Sequence, residues 1–241
     1  MSGPEAAAPF EVLLLDNHLL GVSKPSGMLV QGDRTGDADL VTLAKAYLKE
    51  RFDKPGNVFV GLVHRLDRPT SGAVLLARTS KAAGRLSAQF RGRDVEKRYL
   101  AVVEGRLGAE GEAIDGVQKG QGGSVEVVPV DAPDAQRASL RWRTLAEAGG
   151  RSLVEVDLQT GRKHQIRAQL AYRGAPVLGH FRYGDPTKPF ADGRGIALHA
   201  LRLGVEHPTR REPVVMVAPP PASWTGLFPE AVQRAVTEAT R

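Results

Sequence analysis

The chain has 241 residues, 41% hydrophobic and 25% charged, the proportions of a globular protein and not of a disordered, collagenous or membrane chain. It carries 33 Lys and Arg against 27 Asp and Glu, a net charge of +6, and no cysteine. Disulfide scaffolds, thiolate zinc sites and cysteine nucleophiles are thereby excluded, and the basic excess suits a polyanionic partner.

The length corresponds to about 1.6 average domains. With no repeat, low-complexity tract or long linker to divide it, one domain over 1–241 is expected. No apolar run approaches the roughly 20 residues of a membrane helix. Met1 to Phe10 carries Glu5 and no basic stretch ahead of an apolar run, unlike a secretory signal. The expectation is a cytoplasmic, soluble protein.

Val12 to Leu15 and Leu19 to Val22, separated by Asp16-Asn17-His18, predict a hairpin. After Lys24-Pro25-Ser26-Gly27, the spacing of Leu40, Leu43, Ala44, Tyr47 and Leu48 predicts a helix stopped by Pro55-Gly56. Phe59 to Val63 and Ala73 to Ala77 read as buried strands around a polar loop, His64 to Gly72. Thr79 or Ser80 caps a helix with Ala82, Leu86 and Phe90 on its inner face and a basic outer face. Lys97 to Val103 alternates as a strand, with Tyr99, Ala101 and Val103 on one side. The glycine-rich stretch 106–136 offers one strand, Val125 to Val128. Leu140 to Leu145 and Leu153 to Leu158 predict neighbouring strands joined through Gly149-Gly150, and Gly161 to Arg173 a helix ended by Gly174. Strands at Leu198 to Val205 and Val214 to Val217 and a helix opened by Pro229 complete the chain. Strands that follow one another without intervening helices favour an α+β fold on a mixed, mostly antiparallel sheet.

Two segments concentrate chemistry. His64-Arg65-Leu66-Asp67-Arg68 packs a carboxylate among cations directly after a strand, where function is often carried; an ordinary loop in which Asp67 caps its own turn, with His64 and Arg65 on the surface, is equally compatible. Gly161-Arg162-Lys163-His164-Gln165-Ile166-Arg167 places cations in the opening turns of a helix. There the macrodipole favours anions, so either a bound anion faces them or they form a solvated basic face. Lys163 and Arg167 fall on one helix face, Ile166 and Leu170 on an inward one. A metal at His64, Asp67 and His164 is a competitor, but no zinc-protease spacing exists and the adjacent arginines repel a cation. No Walker loop, dinucleotide fingerprint or serine-nucleophile elbow is present.

Taken together the segments resemble the RluA-type family of RNA pseudouridine synthases, from about Leu14 to about Pro208. His64-Arg65-Leu66-Asp67 with Thr70-Ser71-Gly72 is similar to its catalytic motif, Lys97-Arg98-Tyr99 to its second and Thr160-Gly161-Arg162-Lys163-His164-Gln165-Ile166-Arg167 to its third. Lys24-Pro25-Ser26-Gly27, Leu198-His199-Ala200 and His207-Pro208 match further landmarks. The resemblance implies the family's catalytic fold and isomerisation of uridine to pseudouridine. It implies Asp67 as the essential carboxylate, Tyr99 against the target base and Arg167 paired to Asp67. Arg65 then fills the space of the flipped nucleotide.

The physical chemistry of the reaction agrees. The glycosidic bond breaks and the base is rejoined through carbon 5 without leaving, which requires an ionised carboxylate at the sugar and a pocket confining the uracil. A nearby arginine keeps that carboxylate charged, and a tyrosine offers a stacking face and a phenolic oxygen near the carbon-5 proton. The paired carboxylates of most glycosidases are not evident. Extrusion of the base from its stack is offset by contacts to phosphates, for which Arg162 and Lys163, with Arg85, Arg91 and Arg93, are candidates. No cofactor and no metal are expected. The expected partner is structured RNA, a ribosomal or transfer RNA stem-loop met by a monomer without the small amino-terminal RNA-binding module of many relatives. Two departures stand out, Gln169 where the family commonly has histidine and His180 where it has aspartate; neither is assigned to chemistry. The alternative of a different class is a catalytically silent RNA-binding or RNA-folding protein using the same basic cleft.

Overall fold

The computed structural model describes residues 9–190, 193–224 and 226–241, so most of the Met1 to Phe10 segment read as unlike a secretory signal lies outside the described residues. Asp16 makes the first turn, its Oδ1 accepting from the backbone N–H of His18 and Leu19 at 2.7 Å each. This closes β1 (Glu11–Leu15) on β2 (Leu19–Lys24) as expected. Helix α1 (Leu40–Arg51) is capped by Asp39 and buries Leu40, Ala44, Tyr47 and Leu48. The strand expected at 59–63 shrinks to β3 (Gly61–Leu62), because only Ala77 and Leu76 of β4 (Ser71–Ala77) offer it partners, and Phe59 remains exposed. Helix α2 (Ser80–Gly92) is capped by Thr79, and β5 (Glu96–Glu104) follows.

The glycine-rich stretch holds more than β7 (Val125–Val128): Glu110–Lys119 forms a full strand, β6. Its glycines do not signal a loop. A Cβ at Gly111 would lie 2.3 Å from the Trp142 ring, and one at Gly116 2.4 Å from the Pro129 carbonyl, so close packing demands them. β8 (Gln136–Ala148) and β9 (Arg151–Leu158) form the expected pair, longer than predicted, and β10 (Leu198–Glu206), β11 (Pro213–Val217) and α4 (Pro229–Ala239) close the chain. The helix α3 is shorter than expected, Gln165–Tyr172.

Among the described residues the strands form one sheet in the order β1-β2-β4-β10-β5-β9-β8-β6-β7, with β11 on β10 and β3 on β4. Among the described strands the β4–β10 pairing alone is parallel, so the α+β fold on a mostly antiparallel sheet is observed. Alternation along the strands separates two faces. Val74, Leu76, Tyr99, Ala101 and Val103 pack with Leu40, Leu48, Ile166 and Leu170 of α1 and α3. Ala73, Leu75 and Ala77 pack with Ala82 and Leu86 of α2, and Leu100 and Val102 with Ala231 and Ala235 of α4. Tyr99 and α3 thus share a face. Among the described residues no helix is long and apolar enough to cross a membrane.

Two histidines fasten this frame. His199 Nε2–H donates to the Ala218 carbonyl (2.7 Å), which leaves Nδ1 to accept from the Ser71 hydroxyl (2.8 Å) and ties β4 to β10. His207 donates through Nε2 to Asp16 (2.9 Å) and accepts at Nδ1 from Thr209 and Arg210 N–H, joining the first hairpin to the β10–β11 turn. The motif positions His199 and His207 are structural ties.

Candidate active site

A cleft of about 930 Å³ opens beside Tyr99 and Ile166, and it gathers side chains from five separate stretches of sequence. Asp67, Tyr99 and Arg167 line it, as do Arg65, Arg162 and Lys163. Arg91, Arg93 and Lys97 add to its charge. Arg85 is elsewhere, donating to the Pro208 carbonyl at 2.5 Å.

The loop bearing Asp67 runs from β3 to β4 and is clamped by the turn after β2. Lys24, fully buried, donates through Nζ to the carbonyls of Pro25 (3.0 Å), Met28 (2.9 Å) and Arg68 (3.2 Å). Burial pushes its pKa down to about 7, while Asp67 acts in the opposite direction; three carbonyls are fully served only by an ammonium with three N–H bonds. Ser26 Oγ donates to the Pro69 carbonyl and Gly27 N–H to that of Arg68, both at 2.9 Å. Lys24→Met keeps the aliphatic stem and strands three carbonyls. It is expected to cost about 2–3 kcal/mol and lower the melting temperature by about 5–10 °C; an unchanged midpoint in thermal denaturation would contradict the clamp.

His64 is part of the buttress and is not the surface group that one reading allows. Its Nε2 accepts from Leu75 N–H at 2.9 Å and its ring stacks on Phe90 at 4.7 Å. Burial first, then Lys97, pushes its pKa down to about 3, so the ring is neutral. That nitrogen is no longer free for the competing metal site, and among the described residues no three His, Asp or Glu side chains converge to hold an ion.

Arg167, 4% exposed, donates through Nη1 to Asp67 Oδ2 at 2.5 Å and through Nε to His180 Nε2 at 2.6 Å. Burial, then Arg167, pushes the His180 pKa down to about 3 and holds it neutral. His180, set aside in the sequence as a departure without chemistry, therefore orients the arginine beside Asp67. The only sequence signal for it was the departure itself. Gln169, the other departure, is buried and donates to Asp115 Oδ2 at 2.6 Å, anchoring α3 on β6 away from Asp67. Its Oε1 is buried without a partner.

Residues 161–164 are a loop and not the first turn of the expected helix. Gln165 Oε1 accepts from Arg162 N–H (3.0 Å) and from the Thr160 hydroxyl (2.7 Å), and His164 adopts φ +53°. These side-chain bonds outcompete helical ones. The expected shared face of Lys163 and Arg167 does not exist: Lys163 reaches the Gly123 carbonyl (2.9 Å) while Arg167 turns inward. Arg162 donates to the Arg137 carbonyl at 3.1 Å. Tyr99 is buried, and burial, reinforced by Asp67, raises its pKa, so it lines the cleft as a neutral phenol.

The profile of a family described as RNA pseudouridylate synthase matches residues 18–172. The chain is 35% identical over 234 residues to ribosomal large subunit pseudouridine synthase D of Xanthomonas campestris pv. campestris, covering 91% of this chain and 69% of that protein. It is likewise 35% identical over 241 residues to tRNA pseudouridine synthase C of Pectobacterium carotovorum subsp. carotovorum, covering 90% of this chain and 61% of the relative. The structure of human RNA pseudouridylate synthase domain containing 4 superimposes with a TM-score of 0.73 at 22% identity, over 94% of this chain and 93% of that one, and shares its fold. The chain belongs to the RNA pseudouridylate synthase family, a family of isomerases. Within it the chain is of the RluA type, as its motifs imply.

Proposed function

We propose that the chain, as one catalytic domain over 1–241, isomerises defined uridines to pseudouridine in a structured ribosomal or transfer RNA, acting as a cytoplasmic monomer without a cofactor. Asp67 is the catalytic carboxylate, Tyr99 packs against the uracil and Arg167 holds Asp67 ionised and aimed. Arg65, Arg162 and Lys163 bind the RNA around the extruded nucleotide. The observation that carries this reading is the Arg167–Asp67 ion pair, 2.5 Å, on the wall of a cleft otherwise rich in cations. A carboxylate persists there among phosphate-seeking groups because a buried guanidinium is committed to it. The neutral phenol of Tyr99 supplies a stacking face, worth about 1–3 kcal/mol for a single base, which helps offset the cost of unstacking. Attack on the anomeric carbon and elimination to a glycal both place the carboxylate at the sugar, so either route uses the same geometry.

The test compares RNA from cells with and without the intact gene, mapping pseudouridine chemically across ribosomal and transfer RNA, with Asp67→Asn as the rescue control. Loss of one or a few sites, restored by the wild type and not by the variant, is expected. No lost site, with a phenotype that the variant rescues, would favour an RNA-binding role without chemistry.

A further inference from the structure

His164 lines the cleft from the loop before α3, in a left-handed backbone conformation (φ +53°) that a side-chain-bearing residue adopts only when its surroundings impose it. Its side chain is held by a short polar relay. The Tyr183 hydroxyl oxygen accepts from Val125 N–H at 2.7 Å and lies 3.1 Å from His164 Nδ1. A phenol has a single hydrogen, and Nδ1 is the acceptor nearest to it among the described residues, so a bond donated by Tyr183 O–H to Nδ1 is the arrangement that uses it within the protein. Burial raises the Tyr183 pKa and keeps that hydrogen in place. Burial also pushes the His164 pKa down to about 4, with Arg167, Lys163 and Arg182 acting in the same direction and Asp67 against them. The ring is therefore neutral with its one hydrogen on Nε2, and among the described residues Nε2 has no protein partner.

We infer that His164 presents a fixed Nε2–H donor to an acceptor oxygen of the target nucleotide, either a phosphate oxygen or a uracil carbonyl. The inference rests on the cleft being the site of uridine isomerisation and adds a binding residue to it. Its neighbours fit both acceptors. Arg162 and Lys163 precede it in a loop suited to phosphate, while Arg167 and Asp67 place it beside the reacting sugar, whose uracil gains negative charge as the glycosidic bond breaks. The relay also explains why the glycine-rich β6–β7 segment reaches the site: Val125 opens β7, and Lys163 and Arg182 hold the carbonyls of Gly123 and Gly122 at 2.9 and 2.6 Å. The segment thereby sets a histidine tautomer.

Nitrogen-15 NMR of histidine-labelled protein reads that tautomer without RNA: Nε2–H is expected for His164 in the wild type, with a mixture in Tyr183→Phe. Kinetics then use RNA from cells lacking the gene as substrate. His164→Ala is expected to lower kcat/KM about tenfold, the worth of one good hydrogen bond, and Tyr183→Phe to fall between it and the wild type. His164→Gln, which keeps an N–H donor, should recover to within about threefold of the wild type. A loss confined to KM assigns the phosphate oxygen, and one confined to kcat assigns the uracil carbonyl. An Nδ1–H tautomer in the wild type, or wild-type kcat and KM in both His164→Ala and Tyr183→Phe, overturns the inference while the isomerase reading stands. No turnover by the wild type on any such RNA overturns the isomerase reading itself and this role with it.

Discussion

Asp67→Asn is expected to lose at least about 10³-fold of pseudouridine formation while the protein still folds, an effect of the size seen when one member of a catalytic unit is removed. The substitution is nearly isosteric, so the amide oxygen can still accept from Arg167 Nη1 in place of Oδ2. What disappears is the negative charge. Neither a covalent bond to the sugar nor electrostatic promotion of elimination survives that loss. Arg167, buried with His180 as its other partner, keeps a hydrogen bond and gives up its ion pair, so stability should fall by only about 1–2 kcal/mol. Release of tritium from carbon-5-labelled uridine in RNA measures the first quantity, and urea denaturation the second. Residual turnover within tenfold of the wild type would remove Asp67 from the chemistry. Loss of folding would show that the pair serves the core before it serves the reaction.

The fold was legible in the sequence wherever periodicity and turn chemistry acted locally. The first hairpin, α1, α2, β5 and α4 fall where alternation, capping residues and an opening proline place them. Elements decided by distant neighbours were not legible. β6 was obscured because its glycines answer to Trp142 and Pro129, residues of other segments. The start of α3 lies later than expected because the Gln165 side chain turns back to accept from Arg162 N–H and the Thr160 hydroxyl. The same division runs through the site. The cleft gathers Asp67, Tyr99, Arg167, Arg65, Arg162 and Lys163, whose segments could be marked by motif and spacing. The groups that aim them, Lys24 on the loop carbonyls and His180 on Arg167, act through contacts 44 and 13 residues apart in sequence. Local composition carries no trace of such pairings. A buried lysine at the end of an apolar strand and a histidine after a glycine acquire meaning only when their partners arrive in space.

Gly72→Ala is expected to be severely damaging, because the position joins the loop bearing Asp67 to the sheet. Gly72 pairs with Lys24 on one side and Ala200 on the other, at the parallel crossing of β4 and β10. Its φ is +117°, and an added Cβ would lie 2.3 Å from the Ala200 carbonyl oxygen and 2.5 Å from its nitrogen. Both are backbone atoms held in the sheet, so relief requires β4 to move away from β10. That movement breaks the Ser71–His199 bond beside it and displaces the loop that ends in Thr70. The cost should exceed about 4 kcal/mol, in the range reserved for strain combined with overpacking, and lower the melting temperature by about 8–16 °C in a chain of this size. Gly84→Ala is the control. Gly84 lies inside α2 with nothing within 4 Å of its added Cβ, so there alanine should raise stability by about 0.5–1 kcal/mol. Midpoints for the two variants that coincide in urea denaturation would mean that the β4–β10 crossing is looser than its geometry, and that Asp67 is positioned by the Lys24 clamp alone.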